Sequence, residues 1–310
     1  MNVYRNLDAL PAFTNSVVTI GTFDGVHLGH KKIISRLTAL SKDISGESII
    51  ITFHPHPRLV INPQDTSLRL LNTVDEKIAL LEKSGIHNVV IVPFSRDFSE
   101  QPAEDYISKF LVHNFNPSII VIGYDHKFGK NRTGDYHLLE SMKGTLNFEL
   151  EEITKETLDD IDISSTKIRT SLQSGDVALA NELLGYNYTL SGTVVRGFQR
   201  GRELGYPTAN VMVNDDFKLI PSTGIYAVKV HVRGNIHSGM LSIGYNPTFE
   251  GKAQTVEVHI LDFNVDIYGD NITIEMIQYM RGEEKFATID ELILAIKKDE
   301  AKTRSLFASS

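Results

Sequence analysis

The chain has 310 residues, long for one compact domain, so two domains are expected. Hydrophobic residues make up 41% and charged residues 23%, an ordinary globular balance, and cysteine is absent, which excludes disulfide scaffolds, thiolate metal sites, iron–sulfur clusters and a cysteine nucleophile. A net charge of -8 argues against a nucleic-acid partner, although local amides and cations can still hold a nucleotide phosphate. The first eight residues lack an apolar core and include Asp8, so no signal peptide is expected. No apolar run approaches the roughly 18 residues of a membrane span, and a cytoplasmic location without membrane association is the expectation.

Residues 17–21, 48–53, 88–94 and 118–123 are Val- and Ile-rich and read as buried strands. Between them, 30–41 carries Ile33, Ile34, Leu37 and Leu40 on one face, and 74–84 does the same with Ile78 and Leu81. Alternating strands and helices predict a parallel sheet covered by helices, with ligands at the carboxyl ends of strands. Residues 149–162 hold seven acids and one lysine and read as a solvated face or loop. Short helices are expected at 166–172 and 176–184, with a domain boundary at Gly185. Beyond it, 225–233, 255–261 and 272–276 alternate apolar and polar residues, the mark of an antiparallel barrel or sandwich. A last helix is expected from Asp290.

The first strand runs directly into Gly21-Thr-Phe23-Asp24-Gly25-Val-His27-Leu-Gly-His30, which opens a helix. Gly21 and Gly25 allow a tight turn and close approach of backbone to ligand. A helix start offers free N–H groups and a positive dipole end, suited to phosphate. His27 and His30, three apart, can share one side of the first turn and donate to phosphate oxygens in a transition state. Neither the Walker A nor the Rossmann glycine pattern is present. A histidine-based zinc site is the competing reading, without obvious further ligands. Two later runs, residues 123–135 and 163–169, are respectively glycine-rich and hydroxyl-rich; the second also reads as ordinary helix capping.

These three runs resemble, in order, those of the FMN adenylyltransferase module of prokaryotic bifunctional riboflavin kinase/FAD synthetases, within the His-x-Gly-His nucleotidyltransferase superfamily. The resemblance implies that His27 and His30 contact ATP phosphates, beside Gly21, Phe23, Asp24 and Gly25. It also implies that Ser164, Thr166 and Arg169 bind the triphosphate side. Asp125 and Phe128 are then expected near the flavin or adenine. His126 departs from the family, which more often has an aromatic there.

In the second half, residues 192–210 combine Gly197, Gly201, Arg202, Thr208 and Asn210. Glycine amides and arginines suit phosphate, and an extended Thr208–Asn210 would point two hard oxygen donors to one face, suited to Mg²⁺. Glu257 shares a strand face with His259, opposite Val256, Val258 and Ile260. It reads either as an inward catalytic carboxylate or as part of an exposed polar face. This half resembles the riboflavin kinase module of the same family. By that resemblance Thr208 and Asn210 are Mg²⁺–ATP ligands, Glu257 is the catalytic carboxylate, and Arg281 and Phe286 help close the flavin site.

The expected architecture is thus an α/β nucleotidyltransferase-like domain with a parallel sheet (residues 1–184), then an antiparallel β-barrel domain with a C-terminal helix (residues 185–310). The implied reactants are riboflavin, FMN, FAD, ATP, ADP and pyrophosphate, with ATP as co-substrate and Mg²⁺ as cofactor. Transfer to another phosphate ester and a non-catalytic flavin-binding regulator are the competing readings.

Overall fold

Runs of β-branched residues set the first sheet of the computed structural model. Its strands are β1 (Asn2–Tyr4), β2 (Ser16–Ile20), β3 (Ser48–His54), β4 (Asn88–Pro93), β5 (Pro117–Gly123) and β6 (Glu149–Ile153). They lie in the order β1-β4-β3-β2-β5-β6, and every pair is parallel. The described residues are 1–154, 163–197, 201, 204–248 and 251–308, with the backbone alone described at 246–248 and 251–253. Contacts divide the chain into two compact units, Met1–Ser165 and Thr166–Ser310.

In unit 1 all five residues of β2 are buried, as a central parallel strand requires. Its period of two serves both faces of the sheet. Val17, with Ile50, Val89 and Val121, packs against Ile34 and Leu37 of α1 (Leu28–Asp43) and Leu81 of α2 (Val74–Glu82). Val18 and Ile20, with Ile51, Val90 and Ile120, pack against Tyr106, Phe110 and Leu111 of a π-helical stretch, Tyr106–Val112, and Leu139 of α3 (Tyr136–Leu146). Helix α2 starts at a reciprocal cap between Thr73 and Glu76. Chain order reverses between β2 and β5, and the crevice at such a switch point is where open α/β sheets bind ligands.

Unit 2 contains α4 (Ser165–Ser174, its first residue assigned to unit 1), α5 (Val177–Leu184) and six strands, then α6 (Ile289–Ala308). The strands are β7 (Thr189–Val195), β8 (Ala209–Met212), β9 (Gly224–Val232), β10 (Asn235–Thr248), β11 (Gly251–Ile260) and β12 (Asn271–Arg281). They close a barrel in the order β10-β11-β8-β7-β12-β9, all pairs antiparallel. Alternate residues such as Leu190, Val194, Val228, Val230, Leu241, Ile243, Val256, Val258, Ile272 and Ile274 fill its interior. Closure leaves no free sheet edge, which the alternation alone did not distinguish from a sandwich.

The structure refines three readings. Besides the four runs expected as strands, the parallel sheet of the described residues contains β1 and β6. Glu149–Ile153, the start of the acidic run read as a solvated face or loop, is the partly exposed edge strand β6, held by backbone pairing with β5; the rest of that run from 155 lies outside the described residues. Of the two readings of Glu257, the outer face is the one found: Val256 and Val258 occupy the interior, and Glu257 lies half-buried on the opposite face. The boundary expected at 184/185 and the contact division at 165/166 differ by α4 and α5.

Candidate active sites

The turn after β2 is held in a conformation that ordinary residues avoid. Phe23, Gly25 and Val26 have φ of 47°, 89° and 37°. Only Gly25 adopts this without strain, and a β-branched residue such as Val26 rarely does. The surroundings hold the turn in place. Asp24 is buried, and its Oδ1 accepts from the N–H groups of Leu71 (2.9 Å) and Asn72 (3.3 Å). The Asp24 carbonyl accepts from Ser165 Oγ at 2.9 Å. The Thr22 carbonyl accepts from Thr52 Oγ1 at 3.1 Å and from the buried Lys77 ammonium at 2.6 Å.

His27 caps α1: its Nδ1 accepts from the His30 backbone N–H at 3.3 Å. A neutral His27 therefore carries its proton on Nε2. The rings of His27 and His30 stack at 3.6 Å between centroids, 14° from parallel. Phe23 also packs against His30, with ring centroids 5.1 Å apart and the planes tilted by 53°. A Cβ at Gly29 would lie 3.2 Å from His27 Nδ1, a tight approach to which the ring would have to yield. Burial, then the neighbouring His27 and Lys77, hold His30 well below its ordinary pKa. His30 is therefore neutral at physiological pH, and its buried Nδ1 has no hydrogen-bond partner among the described residues.

The other two N-terminal runs meet this site unequally. Gly123 ends β5 beside β2, and Asp125 follows it, exposed. Phe128 is a core residue: it stacks on Tyr106 at 5.1 Å, and its ring fills the space over Gly134. His126 lies 5.8 Å from Phe128, and withdrawal from water lowers its pKa to about 4. Ser164 precedes the Ser165 that ties to Asp24, whereas Thr166 and Arg169 belong by contact to unit 2.

In the barrel, five expected residues converge on the outer face. Glu257 of β11 pairs across the ladder with Asn210 of β8, so both point the same way. Thr208 Oγ1 donates to Glu257 Oε2 at 3.1 Å. The Asn210 amide lies over Gly197, where a Cβ would fall 2.2 Å from Nδ2. Gly201 lies beneath the Tyr206 carbonyl, which a Cβ would meet at 2.3 Å. Arg202 lies outside the described residues. His259 is engaged elsewhere: its Nδ1 is 2.7 Å from the Pro207 carbonyl, which can only accept, so Nδ1 carries a proton. Arg281 and Phe286 do meet, at 5.8 Å, but Arg281 also grips Asp299 of α6, with Nη2 2.7 Å from Oδ2. No group of three or more His, Asp or Glu suited to a metal occurs among the described residues. The Thr208 hydroxyl and the Asn210 side-chain carbonyl are hard oxygen donors of the type Mg²⁺ takes, and they lie beside the Glu257 carboxylate.

Lys77 and Ser165 were not singled out from the sequence. Lys77 sits in an amphipathic helix where a lysine ordinarily faces water, and nothing local marks it as buried. Ser165 was visible only as one hydroxyl in a capping run.

A switch-point helix N-terminus bearing stacked histidines, with an oxygen cluster on a separate closed barrel, defines a two-module α/β-plus-barrel protein of the phosphate-transferring class. Family comparison agrees for each unit. Residues 10–167 match the FAD synthetase family, and residues 184–307 match the riboflavin kinase family. The chain is 39% identical to the bifunctional riboflavin kinase/FMN adenylyltransferase of Listeria monocytogenes, over 95% of this chain and 93% of the relative. It is 37% identical to the Bacillus subtilis protein of that name, with the same coverages, and 35% identical to that of Escherichia coli K12, over 98% and 96%. The chain belongs to the bifunctional riboflavin kinase/FMN adenylyltransferase family. A crystal structure described as a macrolide-efflux protein from Streptococcus pneumoniae superposes with a TM-score of 0.87 at 31% identity, covering 97% of this chain and 98% of that one. Among the described residues of this chain, no helix is long and apolar enough to cross a membrane.

Proposed function

We propose that the two activities divide between the two residue sets, with residues 1–184 as the adenylyltransferase module and 185–310 as the kinase module. The protein is a bifunctional enzyme of flavin cofactor biosynthesis. It phosphorylates riboflavin to FMN with ATP, releasing ADP, and then adenylylates FMN to FAD with a second ATP, releasing pyrophosphate.

In the kinase step the terminal ribityl hydroxyl attacks the γ-phosphorus of ATP. The bond to the bridging oxygen breaks, and the hydroxyl proton passes to Glu257. Because Thr208 donates its own proton to Glu257, its lone pairs remain for a cation, and Thr208 with Asn210 would hold Mg²⁺ alongside ATP oxygens and water. The ion supplies neutralisation of phosphate charge. Gly197 and Gly201 take the phosphate side, a role that the family resemblance also gives to Arg202, and Arg281 with Phe286 closes the flavin side.

In the adenylyl step an FMN phosphate oxygen attacks the α-phosphorus of ATP, and pyrophosphate leaves. His27 and His30 face the charge that builds up on the phosphate oxygens, as N–H donors at a helix N-terminus. Gly21, Phe23, Asp24 and Gly25 shape the turn that carries them. Ser164, Thr166 and Arg169 take the triphosphate side, and Asp125 and Phe128 the flavin or adenine side. Both steps rest mostly on positioning and charge stabilisation.

The observation that carries this reading is the presence on one chain of the stacked His27–His30 pair and the Thr208–Glu257–Asn210 cluster. The test is incubation of the full chain with riboflavin, ATP and Mg²⁺, with flavins separated by chromatography over time. FMN should rise first and FAD follow at its expense. Unchanged riboflavin, together with unchanged FMN when FMN is supplied, overturns the reading.

A further inference from the structure

The Lys77 ammonium lies under the strained turn at 22–26, far from any bulk-water role. Only 8% of the residue is exposed, and Nζ donates to the Thr22 carbonyl at 2.6 Å and to Thr52 Oγ1 at 3.4 Å. Thr52 Oγ1 itself donates to the same carbonyl at 3.1 Å. From the other direction Asp24 receives two N–H groups from Leu71 and Asn72, immediately before the Thr73 cap of α2. Turn and helix thus clamp each other: Asp24 holds the start of α2, and α2 returns Lys77 to the turn. A buried cation is costly unless it is hydrogen-bonded, and left-handed φ at Phe23 and Val26 persists only where neighbours over-determine it. Each cost is met by the other partner.

We infer that Lys77 is a positioning residue for adenylyl transfer, holding the 22–26 turn in the shape that presents His27 and His30 to the triphosphate. The inference rests on the assignment of that turn to the adenylyl step. The ammonium also opposes charging of His30. Among the described residues the titratable groups facing His30 are His27 on its own turn and Lys77 from α2, while Asp24 faces the ammonium.

The test uses the full chain and Lys77→Met, which keeps length and apolar volume without charge. With FMN and ATP, kcat/KM should fall at least about tenfold, since small misplacement of reacting groups is costly in rate. Riboflavin phosphorylation should be unchanged. The acid limb of the kcat/KM profile should move to higher pH, because His30 protonates more readily once the ammonium is gone. A lysine that only stabilises the fold would lower the melting temperature and leave that limb in place; this result, or wild-type kcat/KM, overturns the inference. Thr52→Val, which removes the longer of the two ammonium contacts and leaves the bond to the Thr22 carbonyl, keeps the test open should Lys77→Met not fold. It should show a smaller loss in the same direction, and wild-type adenylyl transfer in it also overturns the inference. His30→Ala, run in parallel, separates the two layers: full activity there means that the adenylyl-site assignment itself has failed.

Discussion

Glu257 and His259 stand two residues apart on one strand face, yet their surroundings give them different capacities. The Glu257 carboxylate is met by a hydroxyl and lies beside Asn210, whereas His259 Nδ1 is already committed to the Pro207 carbonyl. General-base catalysis contributes roughly 10²- to 10⁴-fold, and the loose transition state of phosphoryl transfer favours the low end. Glu257→Gln should therefore lower kinase turnover at least about tenfold with little change in riboflavin affinity, measured by steady-state kinetics. His259→Gln should retain turnover, and the reverse pattern assigns the base to His259. A second residue-scale effect is stability. His126 has a folded pKa of about 4, below the unfolded value near 6.5. The unfolded chain then binds more protons between these values, so stability is full above about pH 6.5 and is lost as pH falls toward 4. By pH 5 the loss should be about 1–2 kcal/mol from this residue. His126→Phe, tested by circular dichroism melts at pH 7 and pH 5, should reduce that pH dependence; identical dependence in both proteins contradicts the assignment.

Individual elements carry the sites through close packing of side chain on glycine. A Cβ at Gly197 would overlap the Asn210 amide, an approach far inside contact distance. Gly197→Ala should therefore displace Asn210 and reduce riboflavin phosphorylation several-fold, while FMN adenylylation, measured in the same preparation, stays at the wild-type rate. At this scale the sequence was readable where periodicity and burial agree. The alternation of Val228, Val230 and Val232 marked β9, and the apolar run through Val17 and Val18 marked β2. It was unreadable where tertiary pairing decides. Glu149–Ile153 looks like a charge run, and only its ladder with β5 makes it a strand. Three residues at Asn2–Tyr4 are too few to show a period. The polarity of Glu257 was plain, but its direction depended on which face the barrel closed around. Lys77 carries no local mark in the sequence, because the groups that meet its ammonium, Thr22 and Thr52, are far away along the chain. The chemistry-bearing motifs were legible because glycine and histidine at fixed offsets report backbone geometry directly.

For the whole molecule, α4 and α5 decide how the second unit is best cut. Asn181 of α5 donates to the Met276 carbonyl at 2.9 Å and accepts from Tyr188 N–H at 2.7 Å. The Leu172 carbonyl of α4 accepts from Ser222 N–H at 3.1 Å. A fragment of residues 185–310 should fold and phosphorylate riboflavin, being of ordinary domain size. A fragment of 166–310 keeps these bonds and the buried Ile168, Leu172, Val177 and Leu183, and should melt at least about 3 °C higher. Equal melting temperatures would show that the two helices add nothing to the barrel. Division of labour between units is the central claim, and one flavin time course tests it most directly. Wild type, His30→Ala and Thr208→Ala are each given riboflavin or FMN with ATP and Mg²⁺. His30→Ala should turn riboflavin into FMN at the wild-type rate and accumulate it without FAD. Thr208→Ala should fail on riboflavin yet convert supplied FMN to FAD. Loss of both steps in either folded variant, or FAD formed at the wild-type rate by His30→Ala, would contradict the account.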